Sequence, residues 1–396
     1  MKPTSGCRLF GAYQALGGIQ DGVVLLHSVV GCNFGTMSLH LAQDMRDIRQ
    51  TCTVISDSDV VFSGEASLER AVRSALELFR PAALFVVSGC VSEMIGDDIS
   101  GVLARISGDT PVVHIKAAGF CGDIVSGLED GWLALLPLME SRVSCQDTRP
   151  TVNLIGFGMD DPHAADDVES IRAMIAPQAV LGTVFSRCTL EEVRCASCAD
   201  VNFVLRGRGR KLAQAMEERF GIPWEEIDYP YGVTGADDLW GRLERRFGLD
   251  YRQARKGLEQ QIVEGAGRAY RYVQALYGMP AALLAAGPRA NGMRRFLEQE
   301  LGMEVVCFAR REELCDQEDF YQQLRNSEAA LLFGSSFEQD GADELEIPLI
   351  HIDYPVFDEI CLTSRPHLGG LGTLHLLEDI FRGIIKCRTL KGALYQ

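Results

Sequence analysis

The chain has 396 residues, of which 47% are hydrophobic and 23% charged, and its formal net charge is −17 at pH 7. This length exceeds what one hydrophobic core supports, and the negative charge argues against nucleic acid and anionic membranes as partners, because both require a basic face. The sequence has no run of 18 apolar residues and no export signal at its start, so we expect no membrane span and a cytoplasmic location.

Short apolar runs alternate with amphipathic stretches along the chain, a pattern typical of strand–helix units around parallel sheets. The apolar runs lack polar alternation, as expected for strands buried on both faces. Helices are predicted between them, for example at Ser67–Phe79, Lys211–Phe220 and Met293–Leu301, the last ending before Gly302. The predicted strands are Gly22–Leu26, Val60–Phe62, Ala82–Val87, Val112–Ile115, Val152–Gly156, Ala179–Thr183, Val201–Leu205, Ala281–Ala286, Glu304–Cys307, Ala329–Phe333 and Pro348–Ile352.

Two boundaries are predicted, at the polar stretch Ser141–Pro150 and near Tyr277–Pro280. They divide the chain into three α/β units at 1–150, 151–278 and 279–396. We expect each unit to be a Rossmann-like, doubly wound domain with a parallel sheet.

Thirteen cysteines are many for a chain without an export signal, and in a reducing compartment the unpacked ones are candidates for metal ligands. Cys32 and Cys90 each follow a predicted strand, where a parallel sheet presents its loops. Gly31 and Gly89 precede them and would let a bulky group approach the backbone. Together with Cys7, these thiolates from three separate loops suit an iron–sulfur cluster better than a zinc finger, although a cysteine at a strand end is often structural.

A second group, Cys188, Cys195 and Cys198, contains a Cys-x-x-Cys pattern that could bind metal. A helix is predicted at Leu190–Cys198, leading into the strand at Val201, and the sequence offers no matching second pair. Packing or a surface position is the favoured interpretation for these cysteines.

The first third of the chain resembles the nitrogenase component 1 family, which includes nitrogenase α and β subunits, their cofactor-assembly scaffolds and related reductases. In the family's β-type subunit the cluster cysteines are separated by 25 and 58 residues, as are Cys7, Cys32 and Cys90 here. Weaker similarity extends over nearly the whole chain. The resemblance of the first third rests on four motifs, which are Gly11-Ala12, His27-Ser28 with Gly31-Cys32, Val60–Gly64, and Cys90 followed by Ile95–Ile99.

The resemblance implies a β-type subunit that holds half of a P-cluster-like iron–sulfur cluster at the interface with an α-type subunit. It further implies an α2β2 heterotetramer and a separate homodimeric Fe-protein that hydrolyses ATP and delivers electrons. The chain lacks a Gly-Lys dipeptide and therefore a Walker A loop of its own.

Departures from the family pattern refine this expectation. Gly119 stands where nitrogenase β subunits carry a serine near the cluster, and Cys121 two residues later is a candidate extra ligand, with packing as the alternative. The middle-domain stretch 177–181 has no cysteine, and His351 and His367 lack the α-type context. The active-site cofactor is therefore expected on the partner subunit.

Among the family's enzymes the sequence favours, by elimination, a methylthio-alkane reductase that cleaves C–S bonds. A nitrogenase β subunit and a non-catalytic scaffold for cofactor assembly are the alternatives. A solute-binding protein with paired lobes is a third, more distant one.

Overall fold

The computed structural model describes residues 6–40, 49–106, 108–141, 148–176 and 178–387. Within these ranges the strands form three parallel sheets of four strands each, which confirms the predicted α/β class. Most of the predicted polar boundary at 141–150 lies outside the described residues, as does Pro177. The exact unit boundaries stay predictions.

The first sheet contains β1 (Gly22–His27), β2 (Gln50–Cys52), β3 (Ala83–Ser88) and β4 (Val112–Lys116), in the order β2-β1-β3-β4. β1 and β3 are buried along their whole length, as strands covered on both faces must be. The associated helices are α1 (Arg8–Gly17), α2 (Val30–His40), α3 (Asp57–Phe62), α4 (Glu65–Phe79), α5 (Cys90–Ile95), α6 (Ile99–Ala104) and α7 (Ile124–Leu133).

The second sheet contains β5 (Thr151–Ile155), β6 (Val180–Val184), β7 (Val201–Leu205) and β8 (Trp224–Ile227), in the order β6-β5-β7-β8. Its helices are α8 (Ala164–Ile175), α9 (Leu190–Cys195), α10 (Arg210–Phe220), α11 (Gly232–Phe247), α12 (Arg252–Gly267) and α13 (Tyr270–Gln274).

The third sheet contains β9 (Pro280–Ala285), β10 (Glu304–Arg310), β11 (Leu331–Gly334) and β12 (Leu349–His351), in the order β10-β9-β11-β12. Its helices are α14 (Gly287–Arg295), which continues as a π-helical turn over Phe296–Glu300, α15 (Gln317–Asn326), α16 (Gln339–Glu344) and α17 (Gly369–Lys386). Gly302 follows with a φ of +66°, as its predicted role as a helix stop requires.

All three sheets share one strand order, in which the first strand of the unit lies between the second and the third. In such sheets the connections from the first and third strands leave toward opposite faces, and the crevice between them is where α/β proteins bind ligands. The repetition therefore provides one crevice per unit.

The prediction of a strand at Val60–Phe62 is wrong, because these residues form the last turn of α3. Ser56 caps this helix by accepting from the backbone N–H of Asp59, whose carboxylate accepts from the Ser56 N–H at 2.8 Å. This reciprocal capping box satisfies backbone donors that a strand would leave open.

Within the described ranges, every helix falls short of the length and apolar character that crossing a membrane requires.

Candidate cluster site

Cys32 and Cys90 lie at the crevice of the first sheet, as the sequence predicts. Cys32 is in the first turn of α2, which follows β1, and Cys90 is the first residue of α5, which follows β3. β1 and β3 are hydrogen-bonded neighbours in register from Gly22 to His27. Their carboxyl ends therefore present both cysteines at the same edge of the sheet.

Cys7 reaches this edge from the start of α1, where it occupies the N-cap position. Its backbone forms an isolated antiparallel bridge with Asp123, just before α7. The helices α1 and α7 approach closely because both carry glycines at the crossing. A side chain on Gly127 would collide with the carbonyl oxygen of Arg8, so the contact is backbone against backbone.

Gly119 lies next to the thiols of both Cys7 and Cys90. A Cβ atom at Gly119 would be 3.4 Å from Sγ of Cys90 and 3.6 Å from Sγ of Cys7. The backbone N–H of Gly119 donates to Sγ of Cys90 at 3.1 Å. Both sulfurs thus face the space beside Gly119, which the absent side chain leaves open.

The other two predicted glycines have different surroundings. Gly31 faces open space, so a side chain there would meet nothing within 4 Å. At Gly89 the crowding comes from the protein itself, because a Cβ would lie 2.9 Å from Cβ of Ser28 and 3.0 Å from Cδ1 of Leu9.

Two further cysteines lie near this edge. Cys121 is exposed on the short 3-10 turn Gly119–Cys121. Cys52 ends β2, where its thiol donates to the carbonyl of Ser28 at 3.4 Å and accepts from the N–H of Val54 at 3.3 Å. Burial raises the pKa of the Cys52 thiol, and the neighbouring Cys32 raises it further. The two hydrogen bonds lower this pKa, but by less. Cys52 is therefore a satisfied structural thiol.

In the part of the chain that the structure describes, no three His, Cys, Asp or Glu side chains converge on the position of one metal ion. A zinc-type site needs such convergence, whereas the ligands of a multi-iron cluster are distributed over several iron atoms.

Polar side chains support the strands behind the cysteines. His27 lies 3.0 Å from Asp97 through Nε2 and 3.1 Å from Thr53 through Nδ1, so both ring nitrogens are engaged in hydrogen bonds within the protein. Burial lowers the pKa of His27 despite the adjacent Asp97. Asp98 caps α6 by accepting from the N–H of Gly101 at 2.9 Å. Asp97, besides its contact with His27, accepts from the N–H of Gly64 at the start of α4 at 2.9 Å.

Ser88, two residues before Cys90, connects two further polar groups. Its hydroxyl donates to Glu93 and lies 2.9 Å from Nε2 of His114. Burial lowers the pKa of His114, so this imidazole is neutral at pH 7.

The edge of the first sheet that carries the cysteines is apolar and exposed. The Phe62 side chain is 83% exposed, and Val61 and Phe34 are each 72% exposed. The exposed hydrophobic residues follow the carboxyl ends of all four strands, which brings them to one side of the sheet. We call them the apolar edge: Val30, Phe34, Met37, Val54, Val60, Val61, Phe62, Met94 and Phe120.

The second cysteine group is dispersed. Cys188 is fully buried in the core between the first and second sheets. Cys195 is exposed at the end of α9, with its thiol 3.8 Å from Glu191, and Cys198 ends the following 3-10 turn.

The fold as a whole is that of the nitrogenases, a class of redox proteins. The structure described as nitrogenase Cp1 at pH 6.5 superposes with a TM-score of 0.82 at 18% identity, covering 98% of this chain and 93% of that one. The family model for nitrogenase component 1 type oxidoreductases matches residues 7–385, and the chain belongs to this family.

Curated relatives come from several branches of the family. The nitrogenase molybdenum-iron protein alpha chain of Methanothermobacter marburgensis is 28% identical over 81% of this chain and 71% of its own length. The cofactor biosynthesis protein NifE of Nostoc is 24% identical over 96% and 83%. The molybdenum-iron protein beta chain of Methanococcus maripaludis is 24% identical over 97% and 94%. Enzyme subunits and a biosynthesis protein are thus similar to the chain to comparable degrees.

Proposed function

We propose that the chain is the β-type subunit of a nitrogenase-like, ATP-dependent two-component reductase. In this role Cys7, Cys32 and Cys90 hold half of a P-cluster-like iron–sulfur cluster. The observation that carries the proposal is that the thiols of Cys7 and Cys90 both lie beside Gly119, with Cys32 at the same sheet edge.

The residues fit such a cluster in chemistry. Three thiolates from three elements supply the soft ligands that iron–sulfur clusters require, and Gly119 carries no side chain at the point that two of these thiols approach. When bound, the cluster would store and pass single electrons. The Gly119 N–H would tune it, because hydrogen bonds to a ligating sulfur stabilise the reduced, more negative state.

The apolar edge supports the proposed partner. A group of exposed Phe, Val and Met side chains at one edge of a sheet is typical of a protein interface. We assign it to an α-type subunit, whose own thiolates would complete the cluster, within an α2β2 heterotetramer. A homodimeric Fe-protein would hydrolyse ATP and deliver the electrons to this edge.

The substrate would be reduced on the α-type subunit. The resemblance places a cofactor-holding cysteine of the α-type subunit in the middle domain, and the corresponding stretch 177–181 of the present chain has none. For the reaction we propose, by elimination, C–S bond cleavage as in a methylthio-alkane reductase, since Gly119 in place of a serine points away from a standard nitrogenase β subunit. A cytoplasmic location accompanies the proposal, since thiolate ligands need a reducing compartment.

The first test is iron and sulfide analysis of the complex after anaerobic purification. We expect iron and acid-labile sulfide together with cluster absorbance, and Cys32→Ala or Cys90→Ala should remove or convert the cluster and abolish turnover. Cys315 is an exposed cysteine before α15, and Cys315→Ala is the matched control. This variant should change neither the cluster content nor the turnover. An iron-free wild-type complex, or full cluster content in both ligand variants, would refute the proposal.

A scaffold for cofactor assembly is the second candidate, favoured by the similarity to NifE proteins over nearly the whole chain. It would use the same three cysteines. Turnover separates the two functions: the purified complex with its ATPase should reduce an external organic sulfide if it is an enzyme, and a scaffold should leave every substrate unchanged.

A further inference from the structure

The loop between β7 and α10 forms an anion-binding cradle of the kind that usually holds a phosphate. Gly207 and Gly209 have φ values of +82° and +89°, which turns successive backbone N–H groups toward one point at the start of an 11-residue helix. This cradle lies at the carboxyl end of β7, the crevice position of the second sheet.

The cradle is filled by a carboxylate of the first unit. Glu129, on α7, accepts from the N–H groups of Gly209, Arg210 at 3.1 Å and Lys211 at 2.8 Å, and is only 8% exposed. A fixed negative charge at a helix start is stabilising, and its burial excludes an external anion. The hydrogen bonds of Glu129 therefore join the first and second units at this point.

The next residue of α7 extends the connection toward Cys7. Asp130 accepts from Nζ of Lys211 at 2.7 Å through one oxygen, and from Nε and Nη2 of Arg8 at 3.0 and 2.6 Å through the other. Burial raises the pKa of Asp130, but the hydrogen bonds from Lys211 and Arg8 outweigh it and hold the pKa below its usual value. Asp130 is thus ionised at neutral pH, and Arg8 directly follows Cys7.

We infer that Glu129 and Asp130 are positioning residues for Cys7. They hold α7 against the second unit and hold Arg8, so that the Cys7 thiol stays near the Cys90 thiol beside Gly119. This inference rests on the proposed function, in which Cys7 is a cluster ligand. The two cysteines are held in different ways. Cys7 depends on Glu129 and Asp130, whereas Cys90 is held by β3 and by the N–H of Gly119, independently of these two carboxylates.

The test compares thiol alkylation at Cys7 and Cys90 in Asp130→Asn, Glu129→Gln and the wild-type complex. Rates are measured by mass spectrometry in the complex as isolated and after iron chelation. We expect Cys7 to react several-fold faster in both variants once iron is removed, with the rate at Cys90 unchanged. In Asp130→Glu, which keeps the charge, the alkylation rate of Cys7 should be close to that of the wild type.

Glu226→Gln is the matched control. Glu226 pairs with Arg206 and Arg210 on the same loop but belongs to β8 and touches neither α7 nor Arg8. In the complex as isolated, the electron paramagnetic resonance spectrum of the reduced cluster should change in Asp130→Asn and stay as in the wild type in Glu226→Gln.

Two outcomes would overturn the inference: wild-type rates at Cys7 in both variants, or equal acceleration at Cys7 and Cys90, which indicates general loosening. A wild-type complex without iron would instead refute the proposed function. The alkylation rates of the metal-free protein decide the positioning role in either case.

Discussion

Gly119 combines two properties at the scale of a single residue: its N–H donates to Sγ of Cys90, and its missing side chain faces Cys90 and Cys7 together. In Gly119→Ala the new methyl group would lie 3.1 Å from Cβ of Cys7, tighter than ordinary contact. We expect the thiols to be pushed apart and cluster retention during chelation to fall by about ten-fold, as for other residues that support a metal ligand.

Gly257→Ala is the control for this experiment, because a methyl group there meets nothing within 4 Å and the residue lies on α12, away from the first sheet. Its cluster should be lost at the wild-type rate. Equal retention in Gly119→Ala and wild type would show that the space beside Gly119 is not used.

Sequence reasoning placed Cys32 and Cys90 correctly because each follows a buried strand, and the carboxyl ends of neighbouring parallel strands share an edge. The contact of Gly119 with Cys7 could not be predicted, since it joins residues 112 positions apart across an irregular turn. The same holds for Glu129, whose partners on α10 lie in another unit. Nothing local distinguishes a buried helix carboxylate from an exposed one.

At the scale of elements, the errors fall where burial and local pattern disagree. Val60–Phe62 has a strand-like apolar composition, yet it is an exposed helical turn that belongs to the apolar edge. The edge strands β2 and β8 were missed because they are short and carry polar residues, such as Glu225 and Glu226 in β8. Strands buried on both faces were identified, since only they need an unbroken apolar run.

The crossing of α1 and α7 makes a prediction about stability. A methyl group on Gly11 would lie 2.8 Å from the carbonyl carbon of Ile124 and 2.9 Å from the N–H nitrogen of Leu128, both backbone atoms. Gly11→Ala should therefore lower the free energy of unfolding by about 2 kcal/mol, because the helices must separate. The measurement is the urea midpoint.

Gly257→Ala tests the same substitution without the crossing. Gly257 lies in the exposed interior of α12, where a methyl group meets nothing within 4 Å. It should raise stability by about 0.5–1 kcal/mol through the helix preference for alanine. If Gly11→Ala lowered the free energy of unfolding by no more than the size of the change in Gly257→Ala, the close crossing of α1 and α7 would be contradicted.

At the scale of the whole molecule, the described histidines with shifted pKa values all shift in one direction. Burial lowers the pKa of His27 and of His114 beside the first sheet. At the junction of the second and third units burial lowers the pKa of His367 strongly and that of His163 to about 2. These imidazoles stay neutral in the folded protein at pH values at which the unfolded chain binds protons.

The consequence is a stability that falls in acid. A folded pKa below the unfolded value near 6.5 means that acidification favours the unfolded chain, so the stability present above pH 6.5 is lost as the pH falls. Asp167 acts in the opposite sense, because burial raises its pKa to about 6 and the folded state takes up a proton there first. The net slope of the wild type therefore combines both effects.

A substitution at His163 isolates one contribution. His163 has a φ of +59°, which asparagine tolerates, and its ring lies 4.0 Å from that of His367. In His163→Asn, the loss of stability on acidification between about pH 6 and pH 5 should be smaller than in the wild type by about 1 kcal/mol, approaching the 1.4 kcal/mol per pH unit expected for one proton. Urea titrations at the two pH values measure this difference. Parallel stability curves for variant and wild type would mean that the buried His163 is not the group that takes up the proton on unfolding.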